Sequence, residues 1–257
     1  MQSDNFKIID ITQENIAQYG MFCQKSKQKE EGYQSKLEWI LERFKEGLKY
    51  KLLLVEERGK LTSRGFIEYI PGEYCWRGLE AKGYMVIHCI WVVGQHKGKG
   101  YGSKLLKECL KDAEGMKGVA VMTAKTTWLP KSRLFIKHGF EKVDSYPPSF
   151  ELYVLKNDST VDLPRFKTKE IQKETEEFEG FEIYTSFQCP YTPAMVKSIE
   201  KYAEKEKIQV RKIPIVTCYE AQNLIHPYGT SCYLLKSKIL TYHSDNIHKL
   251  VEKEKIQ

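Results

Sequence analysis

The segment YMVIHCIWVVGQHKGKGYGSKLLKECL (84–110) joins three patterns without a break, and the reading of the whole chain turns on it. Tyr84 to Val93 is a run of β-branched, aromatic and other apolar residues, as in a strand buried on both faces. From Ser103 the period changes, and Leu105, Leu106, Cys109, Leu110 and Ala113 share one helical face. Between them, Lys97-Gly98-Lys99-Gly100-Tyr101-Gly102 has glycine at every second position. A residue without Cβ reaches positive φ freely, so such a loop can turn several N–H groups toward one anion, and the helix after it adds the partial positive charge of its N-terminus. The stretch reads either as a pyrophosphate cradle or as a tight turn with no ligand. It lacks the Gly-Lys-Ser/Thr ending of a Walker loop, and it does not follow the first strand of a repeating βαβ array, as a dinucleotide fold requires.

On the N-terminal side, FKIIDI (6–11) reads as a strand, residues 13–24 and 35–48 as helices, and YKLLLVEE (50–57) and RGFIEYI (64–70) as strands beside 84–93. On the C-terminal side, GVAVMTA (118–124) is a further strand, residues 130–138 a short helix that starts at Pro130 and is closed by Gly139, and FEKVD and FELYVL two last strands. Residues 158–180 turn polar and charged, which predicts a connector on which Leu163, Pro164 and Phe166 dock. Residues 181–257 then alternate strand FEIYTSF, a helix over 190–206, strand QVRKIPIV, a short helix near 218–224, strands SCYLLK and KILTYH, and a helix over 244–254. The expected division is 1–157, a linker 158–180, and a small α/β domain 181–257.

The bulk properties narrow the function classes. In 257 residues, 41% are hydrophobic and 29% charged, as in a globular protein with a core. No run approaches the roughly 18 apolar residues of a membrane span, so no membrane partner is expected. The start MQSDNFKIID lacks a basic, apolar leader, and seven scattered cysteines form neither a CxxC pair nor a zinc spacing; together these predict a cytoplasmic protein with no structural metal. The net charge of +7 lies wholly in residues 1–157, with 26 Lys/Arg against 19 Asp/Glu, while residues 158–257 carry 15 of each. That bias suits an anionic ligand or a solubilising surface. Lys25, Lys27 and Lys29 stand beside Glu30 and Glu31, so nucleic acid is not the expected partner.

With these residues on the page, VVGQHKGKGYGSKLLKECL resembles motif A of the GNAT N-acetyltransferase superfamily, whose signature is Q/R-x-x-G-x-G/A. Lys97 takes the first position, and Gly100 and Gly102 the two small ones; Gln95-x-x-Gly98-x-Gly100 also fits. LFIKHGF (134–140) resembles the later helix of that family, with its Gly-Phe pair. The resemblance covers roughly 150 residues and implies an α/β fold with a mixed, splayed central sheet flanked by helices, acetyl-CoA held between two parting strands, and direct acetyl transfer to an amine of a small molecule or protein, with a homodimer left open. It places the pyrophosphate on the N–H groups of Gly98, Lys99, Gly100, Tyr101, Gly102 and Ser103, charge at Lys97 and Lys99, and the pantetheine arm on Trp91, Val92 and Val93. The Tyr that acts as general acid in many members is Phe135 here, and a common Asn is Trp128. Ser132 and Tyr146 are the nearest hydroxyls. His88 and Glu68, with Glu73 and Glu80 behind them, are the candidate bases, set against a reading of His88 as a satisfied core residue.

FEIYTSFQCPYTPAMVKSIEKYAEK looks like the opening of a thioredoxin or glutaredoxin fold, with Cys189-Pro190-Tyr191-Thr192 at the redox position and Ser231 in place of the usual cis-proline. A GNAT domain with such a thioredoxin-like tail is similar to the bacterial YoaP-like acetyltransferases. The missing second cysteine argues against disulfide chemistry. Three readings stay open: an N-acetyltransferase whose C-terminal domain shapes the acceptor site, a GNAT-fold acyl-CoA binder without catalysis, and a thiol-dependent activity at Cys189.

Overall fold

Seven strands between residues 6 and 156 form one sheet in a computed structural model that describes residues 5–125, 127–167, 178–242, 247 and 250–252. They are β1 (Phe6–Ile11), β2 (Lys49–Glu57), β3 (Lys60–Pro71), β5 (Tyr84–Val92), β6 (Gly118–Ala124), β7 (Glu141–Tyr146) and β8 (Phe150–Lys156), in the order β1-β2-β3-β5-β6-β8-β7. Every neighbouring pair is antiparallel except β5 with β6. β4 (Leu79–Glu80) pairs separately with β9 (Arg165–Phe166). Phe166 and Pro164 are buried as expected of docking residues, whereas Leu163 is exposed. The centre of the sheet is apolar because β5 and β6 are largely hydrophobic and β2 and β3 carry apolar stretches, Leu52–Val55 and Phe66, Ile67, Tyr69 and Ile70, with α3 (Tyr101–Asp112) covering one face. Tyr101, Leu105, Leu106 and Cys109 point inward from that helix while its lysines at 104, 107 and 111 stay exposed. Burying one leucine of this kind contributes about 1.5–3 kcal/mol. Buried Lys51 of β2 pairs with Asp10 of β1 and, at 2.9 Å, with Asp112 of α3, to which the Tyr69 hydroxyl donates at 2.7 Å.

The helix expected over 13–24 shrinks to α1 (Ile16–Tyr19). Asn15 occupies the chain before it, accepting from Thr12 N–H at 2.9 Å and donating to Asp10 O at 2.8 Å, and Gly20, at φ 68°, stops the helix after one turn. α2 (Glu31–Phe44) starts earlier than its sequence pattern suggests, and α4 (Arg133–Lys137) is shorter.

The chain divides into two compact units, and the second is discontinuous: it gathers Lys27–Trp39 and Trp76–Gly78 with Lys167–Gln257, leaving Met1–Ser26, Ile40–Cys75 and Leu79–Phe166 in the first. The contiguous boundary near 157 differs from this because residues far up the chain are satisfied in the second unit. Trp39 and Trp76 are buried there, edge to face at 5.3 Å. The buried Arg77 guanidinium donates from Nη1 to Gln188 Oε1 at 2.6 Å, Thr230 Oγ1 at 2.8 Å and Tyr228 O at 3.0 Å.

The second unit has its own four-stranded sheet, β11 (Val210–Pro214), β10 (Phe181–Thr185), β12 (Ser231–Leu235) and β13 (Lys238–Thr241) in that order. β10 and β11 are parallel and the other two pairs antiparallel. α5 (Thr192–Glu206) links the parallel strands and buries Met195, Ile199, Tyr202 and Ala203 against Phe181, Ile183 and Tyr233, with Ile247 and Val251 in the same cluster. Most of the helix expected over 244–254, and residues 168–177 of the connector, lie outside the described residues. α6 (Cys218–Gln222) opens on a capping box between Thr217 and Glu220. Near it, buried His226 accepts the Tyr228 N–H at Nδ1, 3.2 Å away, with its ring 5.1 Å from that of Tyr242.

Candidate active site

After β5 the chain makes a single 3₁₀ turn, Gly94–His96, and then an extended Lys97. Gly98 and Gly100 follow at φ 81° and 80°, the left-handed region that costs other residues about 1–2 kcal/mol. A Cβ on either would meet no heavy atom within 4 Å, so glycine is needed here for the backbone angle and leaves open space outside the loop. Gly102 differs. It lies inside the first helical turn, where a Cβ would stand 3.5 Å from Leu134 in ordinary contact.

Gly100 is the N-cap of α3 and no side chain caps the helix. The first backbone bond runs from Lys104 N–H to Gly100 O at 3.1 Å, so the N–H groups of Gly100, Tyr101, Gly102 and Ser103 have no acceptor within the helix. Together with the helix dipole they form a site for an anion. The Tyr101 ring belongs to the core, 5.6 Å from Phe6, and only its backbone can serve a ligand. Ser103 Oγ is 2.8 Å from His138 Nε2, and burial holds His138 below its ordinary pKa. Lys97 places its ammonium over the Trp91 ring at 4.5 Å; Lys99 is exposed.

The turn before the loop is tied to the end of β2. Glu57 Oε1 accepts from Arg64 Nε at 2.8 Å and from Gln95 Nε2 at 3.3 Å, and stands 2.7 Å from Nε2 of the buried His96; Arg64 Nη2 holds the second oxygen. These donors, Arg64 first, bring the Glu57 pKa down to about 2.

β5 and β6 pair only from Tyr84↔Gly118 to Ile87↔Val121, although β5 continues to Val92 and β6 to Ala124. Beyond Ile87 the two strands part. Val93 N–H donates to Arg64 O at 3.0 Å, so its backbone faces β3, and by the alternation of an antiparallel ladder so does that of Trp91. The groups of β5 that face the gap are those of Val92 and Ile90. Of the three residues expected to hold a pantetheine arm, Val92 turns its backbone groups toward the gap while those of Trp91 and Val93 face β3; Ile90, outside the three, faces the gap as Val92 does. Trp91 instead presents a ring 51% exposed.

His88 is the first residue of β5 past the last pair with β6. The register to β3 steps from Glu68↔Cys89 to Tyr69↔Ile87, so His88 is the extra residue of a bulge, a device that re-aims a side chain. Its Nδ1 lies 3.4 Å from Glu68 Oε1, with the residues 1% and 2% exposed. Tyr50 stands opposite Glu68 on β2, its hydroxyl accepting the Phe22 N–H at 2.9 Å, and burial raises its pKa. The structure thus brings His88 and Glu68 together and adds Tyr50, which sequence reasoning missed. Glu73 and Glu80 do other work: Glu73 accepts the Gly83 N–H at 3.0 Å and Glu80 pairs with Arg165 at 2.6 Å.

Ser132 and Tyr146 sit on separate elements. Ser132 is the N-cap of α4, its carbonyl accepting Ile136 N–H at 3.0 Å. Tyr146 ends β7 on the row Ala124–Phe150–Tyr146, its ring 5.8 Å from Phe166. Phe135 is fully buried and packs edge to face on Phe140 at 5.4 Å, a core role.

In the second unit, Cys189 is half-buried just ahead of α5, and its carbonyl accepts the Thr192 N–H at 3.1 Å. Cys232 is buried on β12 opposite Tyr184, and burial pushes its thiol pKa up. None of the seven cysteines is in a disulfide, and among the described residues no three His, Cys, Asp or Glu gather as a metal site.

Residues 14–140 match the acetyltransferase (GNAT) family. The chain is also 30% identical over 246 residues to the "Uncharacterized N-acetyltransferase YoaP" of Bacillus subtilis (strain 168), covering 94% of this chain and 95% of that protein. The chain belongs to the GNAT acetyltransferase family and is an acyltransferase of that family. Among solved structures it is similar to a GNAT acetyltransferase from Brucella melitensis in complex with acetyl-CoA, at 18% identity and TM-score 0.38, covering 64% of this chain and 94% of the other. A PaiA N-acetyltransferase from Thermoplasma acidophilum in complex with coenzyme A gives 16% and 0.40, with coverage of 59% and 99%.

Proposed function

We propose that the protein transfers the acetyl group of acetyl-CoA directly to an amine, with His88 and Glu68 taking the proton from the acceptor. One coincidence along β5 carries this reading: pairing with β6 ends at Ile87, the buried His88–Glu68 pair stands at the next residue, and the strand then runs to the glycine loop. The N–H groups from Gly98 to Ser103 take the pyrophosphate of acetyl-CoA, and Ile90 and Val92 offer backbone groups to the pantetheine arm. Its thioester then points back along β5 toward the fork.

An ammonium must lose a proton before it can attack. His88, oriented by Glu68, is the base, and because both are buried the proton reaches it through water. Attack on the thioester carbonyl forms a tetrahedral oxyanion with a surplus proton on the attacking nitrogen; as the intermediate collapses, that proton passes to water, the C–S bond breaks and the coenzyme A thiolate leaves. Phe135 has no proton to give, so Ser132, Tyr146 or water supplies it. We further infer that residues 1–157, apart from the segments 27–39 and 76–78 that cluster with the second unit, make the acetyltransferase domain, with 158–180 as connector and 181–257 as a thioredoxin-like module that shapes the acceptor site. The strand order β11-β10-β12-β13, parallel then antiparallel, supports the module's assignment.

A panel of polyamines, amino acids and lysine peptides, assayed by release of the coenzyme A thiol, tests the proposal. At least one amine should be acetylated, and Glu68→Gln or His88→Gln should lower turnover by roughly a hundredfold or more while acetyl-CoA affinity holds. Tight acetyl-CoA binding with no amine consumed would mark a binding module without catalysis.

A further inference from the structure

The freedom that lets Gly98 and Gly100 turn their N–H groups toward one anion also lets them scatter. Both glycines are exposed at positive φ, with open space where a side chain would stand. On its C-terminal side the loop is anchored by Tyr101, buried against Phe6. On its N-terminal side a closed ring of contacts does the same work. His96 N–H donates to Val93 O at 3.0 Å, Val93 N–H to Arg64 O at 3.0 Å, the Arg64 guanidinium to Glu57, and Glu57 Oε1 meets His96 Nε2 at 2.7 Å. The His96 ring is also 6.0 Å from that of Tyr101, so it touches both ends of the loop.

We propose that Glu57 is the positioning residue of the pyrophosphate cradle, pinning His96 and Gln95 so that the N–H groups after them converge. The carboxylate accepts hydrogen bonds at both oxygens, which stops it from swinging, and it stays ionised across the working pH range. His96 Nε2 carries the proton in this arrangement, since its partner is an acceptor. Glu57 itself touches no ligand. It acts by removing from the free protein the disorder that binding would otherwise have to remove.

The inference rests on the cradle reading, and the tests separate the two. Calorimetry with Glu57→Gln should show acetyl-CoA bound about tenfold more weakly, the equivalent of roughly 1.4 kcal/mol. S-acetylpantetheine, which has no pyrophosphate, should bind Glu57→Gln and native protein alike. His96→Phe keeps a buried ring, removes only the link, and should show the same selective loss, which guards against a Glu57 variant that fails to fold. Unchanged acetyl-CoA affinity in both variants, or equal weakening toward both ligands, would overturn the proposal. If Gly100→Asp also bound acetyl-CoA normally, the cradle itself would fall; if Gly100→Asp lost binding while Glu57→Gln and His96→Phe kept it, only the role of Glu57 would.

Discussion

α3 and α5 both begin just past the end of a strand, neither has a side-chain cap, and the residues of their first turns differ. At α3 a left-handed glycine leads in, no side chain caps the helix, and four N–H groups are left without an intrahelical acceptor. α5 has no side-chain cap either, but part of its first turn is accounted for by the chain: Thr192 N–H goes to Cys189 O and Pro193 has no N–H, while Gln188 just ahead of it is held by Arg77. Both helices carry the same dipole. On the proposed reading, the α3 terminus serves a ligand because a glycine loop leads into it and its first N–H groups have no acceptor within the helix.

Blocking the open terminus is the harshest way to break this contrast. Gly100→Asp sets a carboxylate at φ 80° in the proposed cradle, and acetyl-CoA affinity measured by calorimetry should fall by at least about a hundredfold, some 2.7 kcal/mol or more. Gly102→Ala, in ordinary contact, should cost far less.

The closed terminus should instead fail as a matter of stability. Arg77→Met removes the donor that Gln188 Oε1, Thr230 Oγ1 and Tyr228 O share in a buried setting, leaving the 2.6 Å bond from Thr230 to Gln188, and urea unfolding followed by a probe in the second unit should lose roughly 2–3 kcal/mol. Acetyl-CoA affinity should be kept. A loss under 0.5 kcal/mol would show the network to be incidental.

His226 sharpens the same point through pH. Its Nδ1 accepts a backbone N–H, which a proton there would displace, and burial lowers its pKa from 6.5 to about 3. A folded-state pKa below the unfolded one means stability present above about 6.5 and lost as pH falls toward 3, by up to about 1.4 kcal/mol per pH unit. His226→Phe should flatten that slope in melting curves of the second unit.

The smallest expected effect is at Cys189. Cys189→Ser should leave acetyl transfer unchanged, and the native protein should not reduce insulin disulfides. Reductase activity that disappears in the serine variant would make the second unit a redox enzyme.

Much of this was legible locally. The apolar run 84–93, the alternating glycines and the leucine face of α3 depend on near neighbours, so pattern alone located strand, loop and helix. Glu57 was invisible because its partner His96 lies 39 residues away, and Arg77 because Gln188 and Thr230 lie 111 and 153 away. No periodicity announces such contacts. His88 and Glu68 were named separately, yet their meeting needed a bulge, which turns on register. The choice of Val92 over Trp91 and Val93 likewise depends on which way backbone groups point, a property every residue type shares.

The parting of β5 and β6 also bears on handling. Between Ile87 and Val92 the sheet has two inward-facing edges with backbone groups that no neighbouring strand serves, and such edges invite pairing with another chain. A ligand lying along β5 would finish the ladder and stabilise the fold by mass action, by about 2.7 kcal/mol at a hundred times its dissociation constant. Purification with coenzyme A present should therefore raise the melting temperature, slow amide exchange at Ile90 and Val92, and reduce aggregation on storage.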